Sequence, residues 1–440
     1  MKYFNFLFAL TITICCVFYL TGCNTSNNTN NNVNLEDGTI DNPYLINSVI
    51  DLKNIQNDMT AYYKLNVDLD FSNIETWLPI GNDSLEFSGN FDGNNHTIKN
   101  LELSTKDEET SLSGLFGTIS SNGIVSNLNI QLDNQLLTIE NSSTTFGYIA
   151  AANYGEIKDC CVFGALNIRV IDETIHNGSY PFGIICGVNS NKITDCYNFT
   201  DIDLDYSNVN NEVSSSFGAI CGYNTFNGRL YDCANIGKIN AIGNSDTKSY
   251  SSISAICDIN YGNIMNCCNY GDIYTSNIFA TAGISNSNMA KGTIMYCYNI
   301  GDISTSKILT KHQYSPVAAG ICTLPDGSIY VCFNDSYISG SSSSAYIATL
   351  VNEKSFIKDC LYVDKSSDTA INDCLPISCN SIKYNSSAQL HTQNTVNTLN
   401  SYSANVLNIQ LFTFYNNKII STTLLNKILY TDIVEKINNK

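Results

Sequence analysis

One pattern recurs nine times down this chain of 440 residues: an aliphatic residue, two variable residues, an apolar residue, one variable residue, and then another set position. The copies read Ile98/Leu101/Leu103, Val125/Leu128/Ile130, Ile157/Cys160/Val162, Ile193/Cys196/Asn198, Leu230/Cys233/Asn235, Ile264/Cys267/Asn269, Ile294/Cys297/Asn299, Ile329/Cys332/Asn334 and Ile357/Cys360/Tyr362. By subtraction, their first members lie 27, 32, 36, 37, 34, 30, 35 and 28 residues apart. A conserved short core with variable spacing is the mark of a solenoid, in which length differences are absorbed by loops between stacked repeats.

A second block precedes the first: Phe116-Gly117-Thr118-Ile119, Phe146-Gly147-Tyr148-Ile149, Phe182-Gly183-Ile184-Ile185 and Phe217-Gly218-Ala219-Ile220, decaying to Ser254-Ala255-Ile256 and Ala319-Gly320-Ile321. Short β-branched and aromatic runs of this kind predict strands. Links such as Asn153-Tyr154-Gly155, Asn260-Tyr261-Gly262 and Asp326-Gly327 supply the conformations a corner needs. A third element, Asn-x-Gly-x-Ile, recurs at 235–239, 269–273 and 299–303. Together they predict a parallel β-helix of about nine coils with three strands per coil, right-handed by the crossover rule.

Composition agrees with that class. Only 14% of residues are charged, and Lys plus Arg number 22 against 40 Asp plus Glu, for a net charge of −18. Such a surface repels nucleic acid and anionic membrane faces.

At the start, Lys2, the apolar run Phe4 to Leu20 and then Leu20-Thr21-Gly22-Cys23 form a secretory signal ending in a lipobox. Cys23 is therefore the expected lipidation site and the link to the membrane. An uncleaved transmembrane anchor is the plainer reading of the same run. The division expected is a signal over 1–22, a lipidated, Asn/Ser/Thr-rich tether over 23–36, an N-terminal cap and first coils over 37–140, repeats over 141–365 and a C-terminal cap over 366–440. Ser48 to Asp51 has capping-box form before a short helix through Leu52, Ile55 and Met59. At the other end Val396, Leu399 and Tyr402 predict a helix, 412–420 a hairpin, and Leu425 to Ile437 a last helix closing the solenoid.

The Gly114-Leu115-Phe116-Gly117 motif, the Phe-Gly-x-Ile, Cys-Tyr-Asn and Gly-Asp-Ile units, and Phe91-Asp92-Gly93-Asn94-Asn95-His96-Thr97-Ile98 resemble the GLUG-motif repeat family of bacterial surface proteins. The stretches from Gly38 to Ile46 and from Asp68 to Gly81 resemble the N-terminal part of those proteins, so the likeness spans roughly 37–402. It implies a surface or adhesin-like role. The segment Thr395 to Ile420 lacks the Trp and Gly-x-Pro expected there.

Of 18 cysteines, Cys15 and Cys16 leave with the signal and Cys23 takes lipid, so 18 − 3 = 15 remain. Seven share one column with Leu101 and Leu128; Cys186, Cys221, Cys257 and Cys322 share another with Ala150 and Ser285. A site that accepts Leu or Cys is apolar and inward. Parallel stacking holds Cβ atoms about 4.8 Å apart, beyond the roughly 3.8 Å of a disulfide, which predicts free thiols. The Asn column at 198, 235, 269, 299 and 334 predicts an amide ladder.

Function is less legible. No Cys-x-x-Cys occurs and the four His, at 96, 176, 312 and 391, are scattered, so no metal or other cofactor is expected. Asp201, Asp203 and Asp205 would share one side of a strand, as a solvated acidic face or a calcium site. His96 sits in a turn and is read as structural. Arg occurs only at 169 and 229, and no hydrolase or phosphate-loop motif is present. The expectation is a non-enzymatic binding or adhesion module for a glycan or a host or matrix protein, with a β-helix polysaccharide-active enzyme (lyase or glycosidase) or a purely structural envelope protein as alternatives. Tyr197, Phe199, Tyr270, Tyr298 and Phe333 fill the core or form a binding stripe, depending on their facing.

Overall fold

The computed structural model describes residues 36–440 except 75–76, 104–110, 140–143, 172–179, 209–214, 245–250, 307–315, 341–342, 352, 366–380, 408–410, 416–417 and 423–440. The signal, Cys23, most of the tether, the last predicted helix, Cys374, Cys379, His176 and His312 lie outside the described residues.

Four parallel sheets enclose the core. In chain order around one coil, sheet I has eight strands, from Leu112–Ser113 to Ser343–Ala345, and sheet II has seven, from Phe116–Ile119 to Cys322–Pro325. Sheet III has eleven, from Tyr44–Ile46 to Phe356–Lys358, and sheet IV has fifteen, from Leu69–Asp70 to Ser381–Tyr384. The parallel β-helix is thus as expected. Among the described residues seven coils, the number of strands in sheet II, place a strand in every sheet, where nine three-stranded coils were anticipated.

The extra sheet arises inside the Phe-Gly-x-Ile block. Phe217 and Gly218 end a strand of sheet I, and Cys221 begins one of sheet II. The chain folds so tightly between them that a Cβ on Gly218 would lie 2.1 Å from the Cys221 carbonyl oxygen. An unbroken apolar run therefore holds a corner, because glycine allows backbone to meet backbone.

The corner between sheets III and IV is a single left-handed residue. Asn127, Asp159, Asp195, Asp232, Asn266, Tyr296, Val331 and Asp359 all have φ between 51° and 57°. Asn and Asp tolerate this conformation best among residues with a side chain, and six of these eight are Asn or Asp. The first predicted copy falls out of register at this corner. Asn94 and Asn95 are both left-handed, with φ 50° and 62°, which makes the corner longer. Phe91, not Ile98, pairs with Val125, while Ile98 pairs with Ile130. Leu101 is buried but does not belong to the cysteine column. Phe116 likewise pairs with Ala150 of sheet II, not with Phe146 of sheet I.

The other eight copies stack as aligned. Ile157, Ile193, Leu230, Ile264, Ile294, Ile329 and Ile357 pair rung to rung, and each is fully or almost fully buried. Such burial is worth about 1.5–3 kcal/mol per side chain. The column cysteines are all free and buried. Each thiol turns to a backbone carbonyl, as Cys196 does to Thr194 O at 3.3 Å and Cys233 to Tyr231 O at 3.2 Å.

Two amide ladders run along the interior. The expected one links Asn198, Asn235, Asn269, Asn299 and Asn334, each Nδ2 donating to the next Oδ1 at 2.7–2.8 Å. A second, not anticipated, links Asn153, Asn189, Asn224, Asn260 and Asn288, each step at 2.8 Å.

Helix α1, Val49–Asn54, starts where expected. The Ser48 side chain accepts from Asp51 N–H, and Asp51 accepts in turn from Asn47 N–H at 3.0 Å. At the other end, α2 (Ser387–Leu390), α3 (Gln393–Leu407) and an antiparallel hairpin (Phe412–Tyr415 with Lys418–Ser421) follow the coils. This segment does not act simply as an end cap. Leu390, Val396, Leu399, Leu411, Phe412, Ile419 and Ile420 pack against the outer face of sheet IV and form a second hydrophobic core. The outward residues of sheet IV beneath this segment, Tyr298, Phe333 and Leu361 among them, are apolar or aromatic, so covering them removes apolar surface from water.

Candidate functional site

The outer face of sheet IV divides into two bands. The first contains Tyr197, Ala234, Cys268, Tyr298, Phe333 and Leu361 at one register. Tyr298 and Phe333 stack with ring centres 4.6 Å apart, and the hydroxyls of Tyr270 and Tyr298 lie 2.6 Å apart. The five aromatics singled out in the sequence therefore face out from the coil, yet all are buried. Residues 387–421 supply the cover beside Tyr298 and Phe333: Phe412 lies 6.3 Å and 6.1 Å from those two rings, and Ser421 N–H donates to Tyr298 Oη at 3.0 Å.

A polar latch holds that cover. Asp335, on the coil, accepts from Ser387 Oγ at 2.7 Å and pairs with His391 Nε2 at 2.7 Å and Lys365 Nζ at 2.8 Å. His391 Nδ1 in turn accepts from Ile419 N–H at 2.9 Å. Burial alone would push the Asp335 carboxyl up, but its bonds to His391, Lys365 and Ser387 outweigh that and hold it below its ordinary value. No sequence signal joins residues 56 positions apart, because their contact exists only once the tail has folded back.

The second band is open. Leu136, Asn167, Asp203, Asn240, Tyr274 and Ser304 occupy one register on successive rungs, and Thr138, Arg169, Asp205, Ile242, Ser276 and Ser306 the next outward register. Strand alternation turns Leu166, Ile168, Ile202, Leu204 and Ile239 into the core and leaves these residues outside. A shallow cavity of about 280 Å³ lies here, lined by Leu136, Asn167, Arg169, Asp203, Asp205, Asn240 and Ile242 among others. Leu136 and Ile242 are 59% and 52% exposed.

Asp201, Asp203 and Asp205 do share one side of their strand, as expected, but their bonds diverge. Asp201 accepts from Lys238 N–H at 2.9 Å, Asp203 from Asn240 Nδ2 at 2.8 Å, and Asp205 from Ser207. Among the described residues no group of three or more His, Cys, Asp or Glu could hold a metal ion. His96 Nδ1 meets Asp68 at 3.1 Å and tightens the long first corner. Arg169, set apart in the sequence only for its rarity, is brought into the cavity with two carboxylates.

Sheets I and II meet in a crease that holds a buried carboxylate. Asp258 accepts from Ser252 Oγ at 2.7 Å and Ser254 Oγ at 3.3 Å. Burial drives its pKa up to about 7, against the opposing hydroxyls of Ser252, Ser216 and Ser254. The sequence contained a signal for it: Cys-Gly-x-Asn at 186–189 and 221–224 becomes Cys-Asp-x-Asn at 257–260.

No family model matches the chain. A protein of Evansella cellulosilytica that carries the name Gly-rich membrane protein is 32% identical over 133 residues, 29% of this chain and 15% of its own length. Halomucin of Haloquadratum walsbyi is 36% identical over 132 residues, 27% of this chain and 1% of its own. The chain thus spans a small fraction of both relatives. A crystal structure from Bacteroides ovatus, named for an immunoglobulin A1 protease, overlays with a TM-score of 0.45 at 16% identity, covering 88% of this chain and 94% of that one.

Proposed function

We propose that this chain is a cell-surface binding or adhesion module, held outside the cytoplasm by a lipid on Cys23 and related to the GLUG-motif repeat proteins. It works without catalysis and takes a glycan or a protein as ligand, not nucleic acid. The open band of sheet IV carries the reading: a rigid ladder of amides, carboxylates, hydroxyls and exposed apolar side chains that no other part of the described chain covers. Rigid, regularly spaced side chains on sheet are suited to recognising an extended ligand, since little is left to order on binding. The names of the two relatives, Gly-rich membrane protein and halomucin, fit a surface location.

The test is a glycan and matrix-protein binding array with the soluble form lacking residues 1–23. Saturable binding to a defined glycan or protein supports the reading, and no binding across the array refutes it. Anchoring is checked separately: Cys23→Ala should abolish incorporation of labelled lipid and release the protein. A polysaccharide-active enzyme is the second reading, favoured by Arg169 lining one cavity with Asp203 and Asp205. Product formation from polysaccharide would establish it in place of adhesion.

A further inference from the structure

We propose that the cavity on sheet IV binds one uncharged polysaccharide chain, lying along the helix axis with successive sugars on successive rungs. This rests on the binding-module reading above and names its ligand class and site. The dimensions come first. Leu136, Asn167, Asp203, Asn240, Tyr274 and Ser304 are consecutive at one register, and rungs of a parallel sheet are about 4.8 Å apart. That repeat is close to the length of one pyranose unit, so a chain of sugars can stay in step with the rungs.

The chemistry follows the same line. Asn167, Asn240, Asp203 and Asp205 line the cavity with Arg169 beside them, and beyond the bonds Asn240 makes to Asp203 and Asn167 makes to Asn134 their remaining lone pairs and amide hydrogens can serve neighbouring sugar hydroxyls. The exposed apolar surfaces of Leu136 and Ile242, and the ring of Tyr274 one rung beyond Asn240, supply faces on which the C–H side of a sugar can rest.

Charge selects the class. Asp201, Asp203, Asp205, Asp272 and Asp302 lie on this face against Arg169 and Lys238 on a chain of net charge −18, which disfavours uronic-acid and sulfated polymers. A cationic peptide is the competing ligand for so acidic a face. The carboxylates are already engaged, however: Asp272 accepts from Asp302 N–H at 3.1 Å, Asp302 from Tyr337 N–H at 2.8 Å, and Asp203 from Asn240. They are fixed as hydrogen-bond acceptors in a ladder, the arrangement that reads hydroxyls.

The experiment titrates the full chain in detergent with fluorescent cellohexaose, chitohexaose and mannohexaose, with hexagalacturonate and hexalysine as charged probes, and with the matching trisaccharides. The expected result is saturable binding of at least one neutral hexamer, at least ten-fold weaker for its trimer, and weakened ten-fold or more by Asn240→Ala or Arg169→Ala. Phe226→Ala, an exposed ring on another face that packs on Tyr261 at 4.7 Å, should leave binding unchanged. Unaltered thermal melting of each variant separates loss of binding from loss of fold. Neutral-hexamer binding lost in Phe226→Ala but kept in Asn240→Ala overturns the site while the binding-module reading stands. Preference for hexagalacturonate or hexalysine overturns the ligand class, and hydrolysis of a hexamer overturns the non-catalytic reading itself. Absence of binding to every probe overturns this inference, and the array above then decides whether the module binds protein instead.

Discussion

Replacing Asp258 with Asn should stabilise the protein increasingly as pH rises above about 4 and leave it unchanged below that. The carboxyl is fully buried in the crease between sheets I and II, and its pKa is raised from 3.8 to about 7. A folded-state pKa above the unfolded value means that the folded chain keeps this proton between about pH 4 and 7 while the unfolded chain has lost it. The contribution to stability is therefore fully present below pH 4 and disappears as pH rises through 7. Moving that proton equilibrium from 3.8 to about 7 corresponds to a cost of about 4 kcal/mol once the buried group is ionised. Asn is the right replacement because Asn286 already occupies the same register on the next rung, one residue after the paired Cys257 and Ser285. Its amide can donate to one serine and accept from another, which keeps both hydroxyls satisfied. The assay is urea unfolding of both proteins from pH 4 to 9, read as the difference between them so that all other titrating groups cancel. That difference should be near zero at pH 4 and grow by up to about 1.4 kcal/mol per pH unit before levelling off above pH 8. A difference independent of pH would refute the reasoning, since it would mean that the carboxyl titrates alike folded and unfolded.

Asp335→Ala removes the acceptor shared by His391, Lys365 and Ser387, and should loosen the flanking segment by about 3 kcal/mol. Hydrogen exchange should then rise across 387–421 and not in the coils; the wild type should show the same loosening in acid, as pH falls through the lowered value at which this carboxyl protonates in the folded chain. Cys267→Asp buries a carboxyl in the thiol column and should cost several kcal/mol, with opening of the adjacent coils first, whereas Cys267→Ala should cost about 1–3 kcal/mol. Equal urea midpoints for the two variants would place that column outside the core. Thiol counting on denatured, unreduced protein should find most of the 15 cysteines that follow Cys23 reactive; six or seven disulfides by mass spectrometry would show a cross-linked rod instead.

The solenoid was legible because its inward positions repeat in kind: Ile at one register, Cys at the next, Asn after that. What was misread follows from corners. Two left-handed Asn in place of one shifted the first copy, and a glycine corner hidden in Phe-Gly-x-Ile joined two sheets into one expected strand. The second amide ladder did leave an unread signal in the sequence: Asn153, Asn189, Asn224, Asn260 and Asn288 each stand three residues after Ala150, Cys186, Cys221, Cys257 and Ser285, the members of the second small-residue column. The aromatics could be placed on sheet IV but not on a side of it, since facing depends on where each corner resets the alternation. Their cover could not be read at all, for the tail packs on them through contacts such as Phe412 with Tyr298, made across more than a hundred residues. The open band was seen only as three alternating Asp, because the neighbours that make it a cavity come from other rungs.

The amide ladders have a direction. Every Nδ2 points toward the following coil, and at the front of the first ladder Asn198 Oδ1 already accepts from Thr200 N–H at 3.1 Å. At the far end, Asn334 Nδ2 is buried and finds no hydrogen-bond partner among the described residues. A finished rung therefore presents an unmet donor and four open sheet edges to the chain that follows, while its own leading side is complete. A buried donor left unpaired costs about 1–3 kcal/mol, so each coil is incomplete until its successor arrives. A chain delivered N-terminus first can thus be assembled like a templated polymer, with every rung acting as the seed for the next and growth running one way along the axis.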